Sequence, residues 1–265
     1  MSLPSDFFGR IVFILQKYGV SFLNGAGKTM AIALVGTLIG CIIGFAVGIV
    51  QTIPDKKDNP VKRGVLGLIK LILNIYVEVF RGTPMMVQAM FIYYGSSVLF
   101  GFNMSQTFAA YFIISINTGA YMAETVRGGI LSIDPGQTEG AKAIGMNHIQ
   151  TMVNVIMPQA LRNIMPQIGN NLIINIKDSS VLSVIGVVEL FYATKGVAGA
   201  YYTYFEAFTI TMVIYFILTF TCSRILRHWE KKMDGPDSYD LATTDTLAYT
   251  SGLVKFPDPN EKEDK

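Results

Sequence analysis

Charged residues are scarce in this chain. Asp, Glu, Lys and Arg make up 15% of its 265 residues, against 51% hydrophobic ones. A soluble domain carries closer to a quarter charged residues, so the profile excludes an ordinary soluble core and points to a polytopic membrane protein. The formal net charge is only +2, which gives no bulk attraction for nucleic acid. Cysteine is nearly absent. Cys41 and Cys222 lie inside apolar runs, without Cys or His neighbours at metal spacing, and read as small hydrophobes. The N-terminus lacks a charged region, apolar stretch and small-residue cleavage site in that order, so no removable signal peptide is expected. Nothing in the sequence suggests a catalytic triad, a metal cluster or a covalent intermediate.

A nucleotide site is missing too. Gly25-Ala26-Gly27-Lys28-Thr29 comes nearest to a phosphate-binding loop. That motif needs a Gly where this chain has Phe22, and it should follow a buried strand rather than open an apolar run. No cofactor is therefore expected on this chain.

What is present is hydrophobic length. Apolar runs cover about 26–52, 62–100, 105–133, 150–191 and 203–227, and each crossing needs ~20 residues. Lys56, Lys57, Lys62 and Arg63 follow the first run, and Arg224, Arg227, Lys231 and Lys232 end the last. Excess Lys and Arg mark cytoplasmic connections. The connections at 101–105 and 194–202 carry only Lys195 and read as external. An odd number of crossings must then lie in 62–100, and one fits. As a continuous helix that run would be ~55 Å long against ~30 Å of hydrocarbon. It is expected to be tilted, broken at Pro84, or partly on the membrane surface. The expected fold class is an all-α membrane protein with five transmembrane helices, the N-terminus outside and the C-terminus in the cytoplasm.

Three units follow: an extracytoplasmic segment 1–19, a membrane domain 20–232, and an acidic, polar tail 233–265 with scattered Pro, read as disordered.

The most informative stretch is EGAKAIGMNHIQTMVNVIMP, from Glu139 to Pro158. A Glu-small-small start, a Gly six residues on and a Pro opening a new apolar run describe two short helices joined by a turn. Small residues admit a partner's backbone, and Gly145 lets the chain bend back. Downstream, Asn170, Asn171, Asn175, Lys177, Asp178, Ser179 and Ser180 lie in or near a span. Ionisable groups there cost ~2.5–3.5 kcal/mol at a helix centre and normally face a cavity or a partner. Alternatively Lys177 and Asp178 neutralise each other near an interface, although sequence neighbours on a helix point ~100° apart. Glu124 and Arg127 lie one turn apart, either as a local ion pair or with Glu124 bordering a substrate path. Gly36, Gly40, Gly44 and Gly48 form one stripe suited to close helix packing, within the bundle or between subunits. His148 reads as a solvated helix residue, and Tyr201, Tyr202 and Tyr204 as an interfacial anchor.

The 139–158 stretch resembles the cytoplasmic coupling loop of ATP-binding-cassette importer permeases, with Gly140, Val155 and Met157 departing from the family pattern. Pro158 to Arg162, Pro166, Asn170, Lys177 to Val181 and Glu189-Leu190 are similar to the polar amino acid branch, as are Glu78 to Pro84 and Ala123 to Ile130. The resemblance covers about 20–232. It implies a cytoplasmic coupling helix, placed at 136–148 between spans 3 and 4, that docks an ATPase through Glu139, Gly140, Ala141, Ala143, Gly145, His148 and Pro158. It implies a substrate path bordered by Asn170, Asn171, Asn175, Asp178 and Glu124. It further implies a second permease in a homo- or heterodimer, an extracytoplasmic substrate-binding protein, an amino acid substrate, and ATP with Mg on the partner ATPase. The location implied is the bacterial inner membrane. Alternatives are a permease for a methionine-type or peptide-like solute, and a secondary transporter, for which no inverted repeat is evident.

Overall fold

The computed structural model describes residues 3–54 and 60–234. Lys56 and Lys57, and nearly all of the 233–265 tail, lie outside the described residues. The described residues are helical, without strands.

Helix α1 (Phe7–Thr52) is capped by Asp6, whose carboxylate accepts from the Gly9 N–H. It contains no Pro and runs unbroken past the expected boundary at residue 19, ending just before Pro54. At 1.5 Å per residue it is ~69 Å long. Its glycine stripe lies directly on helix α4 (Gln106–Leu131). A Cβ built at Gly36 would meet the Ile114 side chain, at Gly40 Thr118, at Gly44 Met122 and at Gly48 Val126. The small-residue face is thus used inside the bundle. The constant offset also shows that α1 and α4 run parallel, with Lys28 at the level of Gln106.

The 62–100 run is broken at Pro84. Helix α2 (Pro60–Gly82) stops before Thr83-Pro84, and α3 (Met85–Phe100) starts after it. Pro84 has no N–H to donate and restricts the residue before it. The buried Gln88 stitches the break, its amide donating to the carbonyls of Phe80 and Thr83, both at 2.9 Å. Gly101, with φ 65°, ends α3.

After α4 come α5 (Pro135–Ala143), α6 (His148–Thr151), a π-helical turn (Met152–Ile156) and α7 (Met157–Asp178). The helix expected over 136–148 is therefore shorter and ends at Ala143. A 3-10 stretch (Ser179–Ile185) ends at Gly186, φ 82°, before α8 (Leu190–Tyr201) and α9 (Tyr204–Asp234). Among the described residues two helices, Phe7–Thr52 and Tyr204–Glu230, are individually long and apolar enough to cross a membrane. A third candidate is the pair His148–Ile185 and Leu190–Tyr201, bent by 55°.

The bend is pinned by Glu189, whose side chain is fully buried. It accepts from the backbone N–H groups of Phe191 and Tyr192, capping α8, and from the hydroxyls of Thr29 on α1 and Tyr215 on α9. Beyond it, Tyr201 receives hydrogen bonds from Lys17 and Tyr18. Arg10 pairs with Glu206 at 3.0 Å. Tyr201 is thus built into contacts with α1, while Tyr202 and Tyr204 are exposed.

Candidate functional site

The α5–α6 unit is held by local chemistry. Asp134 caps α5 and Pro135 fills its first turn, where a missing N–H is harmless. Gly145 takes φ 86°. The Gly145 N–H donates to Lys142 O at 2.9 Å and the Met146 N–H to Ala141 O at 3.0 Å, closing the end of α5. Asn147 and Gln150 then form a reciprocal capping box that starts α6. The expected turn is present, with Gly145 at its left-handed position.

Within this unit Ala141, at 5% exposure, and Thr151, at 2%, are buried. Glu139, Gly140, Ala143, Gly145 and His148 are exposed, as is Pro158 in the first turn of α7. A Cβ at Gly140 would meet nothing within 4 Å. Three apolar side chains stand in the open beside them: Ile144 at 75%, Ile149 at 72% and Val153 at 59% exposure. The unit is rooted through Ile156, Ala160 and Ile164, which pack on Met122, Val126 and Ile130 of α4. It is a rigid, rooted projection with an apolar top.

Deeper in the bundle, the Pro84 break opens a cavity of about 290 Å³ between α4 and α7. Asn171, Asn175 and Asp178 line it, joined by Asn117, Thr118 and Tyr121 from α4. Residues 171, 175 and 178 share one face of α7 because they lie four and then three apart. Asn175 is buried; its amide donates to Thr37 of α1 at 2.8 Å and to Thr118 at 2.9 Å. Asn117 donates to Gln88 Oε1 at 2.9 Å. Lys177 is exposed on another face, and among the described residues Asp178 has no ion pair. Asn170 is also exposed and absent from the cavity wall.

Glu124 is elsewhere. It pairs with Arg127 and, at 3.6 Å, with Arg81. It lines a separate polar cavity of about 370 Å³ with Gln51, Asn74 and Glu78. The expected path residues therefore divide between two cavities, with Asn170 in neither. Sequence reading missed Gln88, Asn117 and Thr118. Gln88 is a single polar residue in an apolar run and Asn117 and Thr118 are a polar pair in another; polarity inside an apolar run is the signal that identifies them.

Gly25 to Thr29 is continuous helix within α1, and Thr29 is engaged by Glu189. No phosphate-binding loop forms there. Among the described residues no group of three His, Cys, Asp or Glu is close enough to hold a metal ion.

Residues 63–234 match the family described as binding-protein-dependent transport system inner membrane component. The chain belongs to that family. It is a membrane transport component and not an enzyme. The arginine transport system permease protein ArtQ of Bacillus subtilis is 34% identical over 215 residues, covering 81% of this chain and 93% of the relative. The glutamine transport system permease protein GlnP of Escherichia coli is 37% identical over 212 residues, covering 80% and 92%. Among solved structures, an amino acid ABC transporter with histidines matches with TM-score 0.74 and 35% identity, over 86% of this chain and 99% of that one. The MetNI methionine ABC transporter, in an inward-facing conformation, has TM-score 0.60 at 19% identity over 78% and 95%, a likeness of fold alone.

Proposed function

We propose that this chain is the membrane-spanning permease subunit of an ATP-driven amino acid importer in the bacterial inner membrane. The observation that carries this reading is the rooted α5–α6 projection, with its open glycine and exposed Ile144, Ile149 and Val153. An apolar patch on a rigid, capped base fits a socket for another protein. Relatives of 34–37% identity that are named as arginine and glutamine permeases support the substrate class.

In this reading the chain crosses the membrane five times, N-terminus outside and C-terminus inside. The spans are α1, the broken α2–α3, α4, α7 and α9. The α5–α6 projection is then cytoplasmic and seats an ATPase subunit that carries ATP and Mg. Two permeases, alike or different, pair across the membrane. A substrate-binding protein delivers the amino acid from outside. Closure of the ATPases pushes on α5, and the root on α4 and α7 transmits the push to the 290 Å³ cavity between the same helices.

That cavity has the chemistry of a zwitterion site. Asp178 supplies a carboxylate for an ammonium group; Asn171 and Asn117, whose amides here donate to Gln167 O and Gln88 Oε1, would exchange those partners for a substrate carboxylate. Glu124 and Arg81 sit in the second polar cavity on the way out. Family membership sets aside the secondary-transporter alternative. A methionine-type or peptide-like substrate is the reading the amino acid assignment must beat.

The test is uptake by proteoliposomes holding the permease, its ATPase and the binding protein. ATP-dependent accumulation of a polar amino acid is expected. Accumulation of a short peptide or methionine in its place would overturn the substrate class.

A further inference from the structure

At the end of the bundle opposite α5 lies a cavity of about 430 Å³. Lys28 of α1 stands at its rim with Gln106 and Thr107 of α4, and Ala31, Tyr111 and Val188 form its wall. Lys28 is exposed, and among the described residues no carboxylate pairs with it. The depth of this cavity is fixed by helix register. Lys28 is level with Gln106, and from Gln106 to Arg127 along α4 is ~32 Å, about one hydrocarbon thickness. On the spans proposed above, this spacing puts Lys28 at one membrane interface and Arg127 at the other. An ammonium at headgroup depth above an apolar wall is complementary to an anionic amphiphile.

A free amino acid fits less well. No carboxylate lines the cavity to receive its ammonium. Glu189, next to Val188, has its carboxylate occupied by Phe191, Tyr192, Thr29 and Tyr215. A phospholipid needs no such partner, because its headgroup stays in water while an acyl chain covers Ala31, Tyr111 and Val188.

We propose that this cavity binds an anionic phospholipid of the outer leaflet, with the phosphate on Lys28. The site rests on the span orientation proposed above and not on the identity of the transported substrate. The permease is purified with its ATPase from nanodiscs of phosphatidylcholine and phosphatidylglycerol, and retained phosphatidylglycerol is counted by native mass spectrometry. Lys28→Gln should retain about fivefold less, as expected for one Lys–phosphate contact. Lys28→Arg should retain the wild-type amount. Val188→Trp, which fills the cavity and keeps the charge, should also lose the lipid. Unchanged retention in Lys28→Gln would overturn the site. So would retention in Val188→Trp, which would leave only a surface charge effect, or displacement by glycerol phosphate, which would show that no acyl chain is held. Labelling of Lys28→Cys from outside the cell accompanies the count; labelling from the cytoplasm alone would overturn the outer-leaflet assignment whatever substrate is carried.

Discussion

The backbone N–H of Met146 is bonded to the carbonyl of Ala141 at 3.0 Å, and this contact turns α5 back toward α6. It forms only because Gly145 takes φ 86°. Gly145→Ala would place a Cβ in the left-handed region, at a cost of about 1–2 kcal/mol. Gly140→Ala would gain roughly 0.5–1 kcal/mol in a helix where its Cβ meets nothing. Hydrogen exchange over residues 139–151 should therefore accelerate in the first variant and slow in the second. If Gly140 keeps its side open for a partner, the more stable variant should couple less well to the ATPase.

Gly44 is among the tightest contacts of the α1–α4 seam. An added Cβ would lie 2.3 Å from the Met122 Cβ and 2.8 Å from the Met122 carbonyl carbon. Part of that neighbour is backbone, so the helices must separate. Gly44→Ala is expected to destabilise the permease by about 1–3 kcal/mol, the usual range for overpacking. Gly27→Ala, on the same helix with nothing within 4 Å, should be neutral or stabilising. Denaturant unfolding in detergent compares the two; equal stability would contradict the seam.

Tyr215→Phe removes one hydroxyl donor from Glu189 at almost constant volume. The expected loss is about 1–2 kcal/mol. Glu189→Leu leaves the N–H groups of Phe191 and Tyr192 and the hydroxyls of Thr29 and Tyr215 without their acceptor, and should cost more than Tyr215→Phe in the same assay. Equal losses would mean that Glu189 does not organise the bend.

The two cavities and the exposed face of α7 predict different transport phenotypes. Asn171→Ala and Asp178→Asn should each lower uptake about tenfold or more, as expected when a group that contacts a polar substrate is lost. Asn170→Ala should leave uptake unchanged, because Asn170 is exposed and off the cavity wall. Initial uptake rates separate these cases. A loss confined to Asn170→Ala would place the path on the other face of α7.

Much of the fold is legible in the sequence. Pro84 falls where the length of 62–100 exceeds a single crossing, and the break is there. Gly145 falls where a turn is needed, and it has the left-handed backbone. The glycine stripe indicates close packing, but only the register with Ile114, Thr118, Met122 and Val126 shows which helix receives it. The site was less legible. Asn170, Asn171, Asn175 and Asp178 share polarity and neighbourhood in sequence, yet helical rotation exposes Asn170, while Glu124, on α4, lines a second cavity. Gln88 and Asn117 escaped notice because a single amide in an apolar run has no periodicity; its partner 29 residues away appears only after folding. The 46-residue length of α1 was hidden by a polar stretch around Lys17 that breaks the apolar run without breaking the helix.

The central claim is that the α5–α6 projection seats an ATPase, and co-purification in mild detergent tests it most directly. The wild type is compared with Ile149→Glu, which charges the exposed apolar top without touching the turn, and with Gly145→Arg, which disrupts the turn itself. The account predicts that a nucleotide-hydrolysing subunit travels with the wild type and is lost from both variants, while all three permeases remain folded. An ATPase that stays bound to Ile149→Glu and Gly145→Arg, or a wild type that purifies alone and still moves solute in vesicles, would contradict it.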